Sequence, residues 1–375
     1  MLRENHLYSA NYYDDGCLAY SEFFEDKGRL VLRQYYDNSG MPKIMMYYRG
    51  SDDNQPVLYL VQLNEAGKWR DFDGLAEFRA YFLDEICKND PKVVMYADRS
   101  DYTLDAFKLM KMHCPHYMVF HSALTTNGQY DGDIFEIYQG IGDMLKNGYL
   151  TSVISSTNKE ADHAANLFDT DHSYAIPVTF VKKDINPVAF ASRKPYSLIA
   201  VARLDAVKRL DHAIRAAAKL HEKHPELSLT FYGYGDAETE PKLKDLVKKL
   251  QAENYILFGD FKQDLTDVYN NAWLEALTSQ YEGFAMALLE AQEHGCPAVS
   301  YVINYGPNEI ITNNYNGRLI QAGDETALFD TLDLLLSHPL MIEEYSKNAY
   351  QSRQKYSFNN VANAWHNFLQ LEKII

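Results

Sequence analysis

Two cations stand five positions apart in Val201-Ala202-Arg203-Leu204-Asp205-Ala206-Val207-Lys208, directly after a run of apolar residues. The run reads as a buried strand, and α/β sheets bind phosphate at the C-terminal ends of their strands. A departing diphosphate needs its growing negative charge met; arginine offers a two-pronged donor and lysine a point charge. The same pair also fits a solvated surface, and Asp205 reads as a turn or capping residue. A second group follows in Tyr281-Glu282-Gly283-Phe284-Ala285-Met286-Ala287-Leu288-Leu289-Glu290. A strand ending near Thr278 runs into Gly283, a helix follows, Gly295 stops it, and Pro297 opens the next connection. The start of that helix, near Phe284 and Ala285, presents backbone N–H groups with no partner inside the helix, which suits a phosphate. Glu290 lies in an apolar helical stretch, where an ionised carboxylate needs strong hydrogen bonds. Vicinal ribose hydroxyls could supply two; a solvated helix edge is the plainer reading. Glu282, at the turn before the helix, is placed for sugar hydroxyls. A third group, Tyr305-Gly306-Pro307-Asn308-Glu309 with Asn316-Gly317, reads as a turn and a helix start followed by a hairpin.

The elements that must position these residues come in two styles. The first stretch predicts strands at 17–24, 29–36, 43–48 and 57–63, separated by Asp26-Lys27-Gly28, Asn38-Ser39-Gly40 and Glu65-Ala66-Gly67, which is the pattern of an antiparallel meander. From about Leu75 strands and helices alternate, with β-rich runs at 93–97, 117–121, 151–155 and 174–180, so a parallel layer is expected. A second α/β unit begins after the polar connection Ser192-Arg193-Lys194-Pro195. Its strands are predicted at 198–202, 227–232, 256–258, 274–278 and 298–301, and Leu210, Ala213, Ile214 and Ala217 mark a helix at the 3.6-residue period.

Composition bounds the function. The chain has 375 residues, 46% apolar and 23% charged, ordinary for a folded protein with two cores. A formal net charge of −16 argues against a general nucleic-acid-coating surface. The four cysteines include no C-x-x-C pair, which suggests neither a zinc cage nor a disulfide framework and fits a reducing cytoplasm. No apolar run is long enough for a membrane span, and Met1-Leu2-Arg3-Glu4-Asn5 lacks the apolar core of a signal peptide. Asp131-Gly132-Asp133 and Asp169-Thr170-Asp171 have the form of metal-binding Asp-x-Asp, but neither follows the strand that a metal-dependent transferase requires.

Over residues 198–336 the order and spacing of Arg203 with Lys208, Gly233-Tyr234-Gly235, Gly259, Glu282-x7-Glu290, Gly306-Pro307 and Asn316-Gly317 resembles the donor domain of family 4 of the glycosyltransferases. The meander, with its Asp-Lys-Gly turn and Gly28-Arg29-Leu30-Val31-Leu32, is similar to the extra β domain of a Gram-positive subgroup. That subgroup holds the α-GlcNAc transferases of serine-rich adhesins and the wall-teichoic-acid α-glycosyltransferases. The resemblance implies an α/β fold of GT-B type: two Rossmann-like domains facing a cleft, with an N-terminal antiparallel β-meander. The implied division is 1–74 for the meander, 75–192 for the acceptor-side domain, 193–350 for the nucleotide-sugar domain, and 351–375 for a helix packing back on the N-terminal domain.

It further implies retaining transfer of GlcNAc or glucose from a UDP-sugar to a serine-rich glycoprotein or a teichoic-acid or other glycan acceptor, with no cofactor and no metal. Donor-binding residues carried over are Arg203, Lys208, Gly283, Phe284, Ala285 and Glu290. Glu282 and His121, the latter in Val119-Phe120-His121-Ser122, would face the reacting sugar. A cytoplasmic protein, peripheral at the inner face of the membrane, is expected, with no transmembrane segment, no nucleic-acid partner, and homo- or hetero-oligomers with another glycosyltransferase-like subunit. Members of the subgroup carry a first strand and a glycine-containing loop ahead of the meander. This chain starts almost inside it, so its N-terminal Rossmann-like domain reads as incomplete, which bears on autonomous catalysis more than on donor binding. The alternative is a catalytically silent subunit that binds and stabilises an adhesin or a partner transferase.

Overall fold

The computed structural model describes all residues except 4–5, 51–54, 91 and 182–184; Glu4 and Asn5 of the N-terminal stretch therefore lie outside the described residues. The chain divides into two compact units, 1–118 with 146–151, and 119–145 with 152–375.

In the first unit the two-residue strands β1 (Leu2–Arg3) and β2 (His6–Leu7) pair with each other. Six strands then form an antiparallel sheet in sequence order: β3 (Ser9–Asp14), β4 (Cys17–Phe24), β5 (Leu30–Tyr36), β6 (Pro42–Gly50), β7 (Pro56–Glu65) and β8 (Lys68–Phe72). The meander expected from the turn signals is thus present, with two strands more than predicted. The two additions are its edges, where Asn11, Asp14, Lys68 and Arg70 obscure the apolar alternation; charge on an edge strand discourages pairing with another chain. Cross-strand aromatic pairs set the register, Tyr12 stacking on Tyr20 at 4.3 Å and Tyr20 meeting Tyr35 at 5.4 Å. Helix α1 (Gly74–Asn89) covers one end of the sheet, Phe78 and Tyr81 packing on Phe72. Then come β9 (Met95–Ala97), α2 (Ser100–Leu109) and β10 (His116–Val119), β10 running parallel to β9. Helix α3 (Ile141–Lys146) ends where the chain briefly re-enters this unit.

The second unit contains β11 (Ser152–Ser155), α4 (Asn158–Phe168) and β12 (Ser173–Ala175), with β11 and β12 parallel. The strand expected over 174–180 stops early because Pro177 has no N–H to give to a ladder. A six-stranded parallel sheet follows, built from β13 (Ser197–Val201), β14 (Ser228–Tyr232), β15 (Ile256–Gly259), β16 (Leu274–Leu277), β17 (Ala298–Val302) and β18 (Gly317–Gln321). Its spatial order is β15-β14-β13-β16-β17-β18. The connecting helices are α5 (Leu210–His221), α6 (Thr239–Lys249), α7 (Thr266–Asn271), α8 (Met286–Glu293) and α9 (Pro307–Ile310), with α10 (Glu325–Ser337) and α11 (Pro339–Ser352) after the sheet. Leu210, Ala213, Ile214, Ala217 and Leu220 are buried along α5, the face its periodicity predicted. Asn316-Gly317 does not make the expected hairpin: Gly317 opens β18, which runs parallel to β17 from Ala298 opposite Gly317 onward. Helix α12 (Phe358–Leu371) lies against β12, Phe368 meeting Tyr174 edge-on at 5.1 Å. Among the described residues no helix is long and apolar enough to cross a membrane.

Candidate active site

The strand order reverses direction between β13 and β16, and in an open parallel sheet such a switch point leaves a crevice outside the carboxyl ends of the strands. The two loops that leave β13 and β16 carry the first two chemical groups of the sequence, Arg203 to Lys208 and Ser279 to Ala285. Hydrogen bonds hold these loops together. Gln280 N donates to Val207 O at 2.7 Å, and Thr278 Oγ1 donates to Lys208 O and Arg209 O at 2.9 and 3.0 Å. A cavity of about 440 Å³ is lined by His121, Arg203, Lys208, Glu282, Gly283, Phe284 and Ala285. Seven of the eight residues singled out in the sequence therefore share one cavity.

Charge in this cavity is arranged as one closed pair and one open cation. Lys208 Nζ lies 2.7 Å from Glu282 Oε1, with only 14% of either side chain exposed, and Ser279 Oγ donates to the same carboxylate oxygen at 2.6 Å. Desolvation makes such a pair hold its partners in place, and a charged hydrogen bond of this kind is shorter and stronger than a neutral one. Arg203 is 63% exposed and pairs with Asp205, 3.1 Å away. Asp205 thus sits at a turn, as expected, but its side chain anchors Arg203 rather than capping a helix.

The backbone geometry behind the second loop explains its glycines. A Cβ on Gly283 would stand 2.4 Å from His121 O and 2.7 Å from its carbonyl carbon, so only glycine lets this loop lie on the backbone that carries His121. Gly306, at φ +94°, faces the Phe284 carbonyl, which a Cβ there would meet at 1.9 Å. Between them Glu282 exchanges backbone hydrogen bonds with Asn304 and Tyr305, at 3.0 and 2.8 Å. Ala285 is left-handed, φ 67° and ψ 58°, and turns the chain into α8, whose first N–H groups face the cavity's end of the helix. Gly283→Ala, forced against main chain rather than a flexible side chain, is expected to lower stability by about 1–3 kcal/mol. Denaturant unfolding of the variant checks this, and parental stability would show that the two loops can separate at no cost.

Glu290 is the one predicted residue outside this cavity. It lies half-buried one helical turn beyond Met286 and lines an adjoining cavity of about 200 Å³ with Phe180, Leu265 and Tyr269; Met286 lines both. Tyr269 Oη donates to Glu290 Oε2 at 3.2 Å. Sequence reasoning missed Tyr269 and Ser279. The hydroxyl-rich Thr278-Ser279 at a strand end was a legible signal, whereas nothing local connects Tyr269 on α7 with Glu290 on α8. Among the described residues no group of three or more His, Cys, Asp or Glu side chains is arranged to hold a metal ion.

The sheet order and its switch-point cavity define an open, parallel α/β domain with a crevice at the carboxyl ends of its strands. Residues 181–352 match the family described as glycosyl transferases group 1. The whole chain superposes on a mutant of S. aureus TarM, solved with Fondaparinux, alpha-GlcNAc-glycerol and UDP, with a TM-score of 0.85, 20% identity, and coverage of 98% of this chain and 72% of that one. The likeness is one of fold, and the fold is of the GT-B type. Among curated relatives, the poly(glycerol-phosphate) alpha-glucosyltransferase of Bacillus subtilis (strain 168) is 23% identical over 293 residues, 77% of this chain and 43% of its own length. The GtfA subunit of the UDP-N-acetylglucosamine–peptide N-acetylglucosaminyltransferase of Streptococcus gordonii is 30% identical over 185 residues, 48% of this chain and 36% of its own. The chain spans less than half the length of either.

Proposed function

We propose that the protein is a retaining glycosyltransferase of family 4 type that transfers GlcNAc or glucose from a UDP-sugar to a serine-rich glycoprotein or a teichoic-acid or other glycan acceptor. The observation that carries this reading is the switch-point cavity, in which Arg203, Lys208, the N-terminus of α8 and Glu282 converge. Arg203, exposed and forked, takes one phosphate, while the N–H groups that open α8 take the other. Lys208 is held by Glu282 until the diphosphate arrives and then shares its charge between them, so the negative charge released on bond breaking meets cations already in position. Glu282 and His121, on the same cavity, orient the transferred sugar. An acceptor hydroxyl attacks the anomeric carbon from the leaving-group side and the departing phosphate takes its proton. Glu290, held by Tyr269 in the adjoining cavity, bonds the ribose hydroxyls, and Phe180 and Leu265 supply the apolar wall for the base. The residues assigned to the donor lie in the second unit, and a cytoplasmic setting suits a nucleotide-sugar substrate.

The experiment is a screen of UDP-sugars for hydrolysis and transfer, joined to a binding test with UDP alone. UDP at about a hundred times its Kd should stabilise the chain by about 2.7 kcal/mol, and should do so with EDTA present. Stabilisation that vanishes on chelation would move the phosphate site onto a metal. A chain with no UDP binding that depends on Arg203 would be the silent, partner-stabilising subunit instead.

A further inference from the structure

We propose that Cys87 and Cys114, in the first unit, form a reversible disulfide when the protein meets a peroxide, with His116 as the base. The pair is invisible in the sequence, 27 positions apart, yet Cys87 Sγ donates to Cys114 Sγ at 3.1 Å. Cys114 Sγ in turn lies 3.3 Å from His116 Nε2. His116 Nδ1 is 3.2 Å from Tyr149 O. A carbonyl can only accept, so Nδ1 carries the hydrogen and Nε2 turns its lone pair to the Cys114 thiol. The result is a directed chain from Cys87 through Cys114 and His116 to a backbone carbonyl.

The surroundings hold this chain in place. Phe107 stacks on the His116 ring at 4.3 Å, and the buried Asp84 carboxylate accepts from Lys111 N and Met112 N at 3.0 and 2.8 Å, fixing the segment that leads to Cys114. Cys87 is 5% exposed while Cys114 is half-buried, so an oxidant reaches Cys114 first and Cys87 stands behind it. Burial, and then the neighbouring Cys87, push the Cys114 thiol up to about 12, so Cys114 is protonated at neutral pH and a nearby base is necessary. Burial also holds His116 below the usual histidine range, hence neutral and able to accept a proton. A disulfide requires the sulfurs to close by about 1 Å.

The chemistry balances with a peroxide as oxidant. Cys114 gives its proton to His116 and its sulfur attacks a peroxide oxygen; the S–O bond forms, the O–O bond breaks, and the proton leaves with the departing oxygen as water. Cys87 sulfur then attacks Cys114 sulfur; the S–S bond forms, the S–O bond breaks, and hydroxide leaves with the Cys87 proton as a second water. Two thiols lose two electrons and one hydrogen peroxide gains them.

The test treats the full chain, folded, with hydrogen peroxide and maps its peptides without reduction. Thiols titratable after denaturation should fall from four to two, with a Cys87–Cys114 peptide that a reductant releases. Cys87→Ser should instead leave Cys114 as a sulfenic acid, trapped by dimedone. His116→Gln should slow disulfide formation by on the order of tenfold or more while leaving its final extent unchanged. A cross-link through Cys17, or a Cys114 that passes to sulfinic acid with Cys87 still free in the unaltered chain, would overturn the pairing. A His116→Gln rate equal to the parent's would remove the base.

Discussion

Glu282→Gln is expected to lower single-turnover transfer from the correct UDP-sugar by roughly 10²–10³, the scale seen when one transition-state interaction is removed, and to leave UDP affinity unchanged or slightly improved. The asymmetry follows from the closed pair. Glutamine loses the charge that polarises the sugar but keeps an oxygen for Lys208 Nζ and Ser279 Oγ, so the loop stays in place while the lysine is less tightly claimed. Glu290→Gln should behave differently, weakening UDP and UDP-sugar alike, because Glu290 lies with Tyr269 outside the cavity that Glu282 lines. UDP titrations and single-turnover rates on both variants decide the matter. Equal losses of UDP affinity would abolish the division between ribose and sugar roles, and an undiminished Glu282→Gln rate would take that residue out of the reaction.

Lys208→Ala should cost about 1.5–3 kcal/mol of UDP binding, the range of a charged hydrogen bond. Arg203→Ala should cost a similar amount, but the two variants differ in what they do to the unliganded protein. Arg203 is largely exposed, so the pair it makes with the 18%-exposed Asp205 is screened by water on the arginine side, and its removal should cost the smaller amount of stability. Removing Lys208 leaves Glu282, only 14% exposed, without its cation, so this variant should also lose stability. Calorimetry with UDP separates affinity, and thermal unfolding without UDP separates stability. Parental UDP affinity in both variants would mean that the phosphates sit elsewhere. Equal stability of the two would mean that the Lys208–Glu282 pair contributes nothing in the absence of ligand.

Local sequence was enough to find the pieces of this site. A parallel strand buried on both faces is a short apolar run, so β13, β14, β16 and β17 stand out, and the residues just beyond such runs are the natural ligand-binding positions. Gly283 likewise marks the turn from strand to helix, though not the His121 carbonyl it lies against. The edge strands β3, β8 and β18 were hidden, since an edge need not be apolar on both faces and its pairing is decided by the strand beside it. Which strands are neighbours is a matter of long-range packing: the order β14-β13-β16-β17 accompanies the meeting of Lys208 with Glu282 across 74 residues, and Gly283 lies against the backbone of His121 on the same cavity. The separation of Glu290 from that cavity, and the meeting of Cys87 with Cys114, follow from how helices pack on the sheet and on one another. Periodicity tells which face of a helix is buried; it carries no information about which other element will bury it.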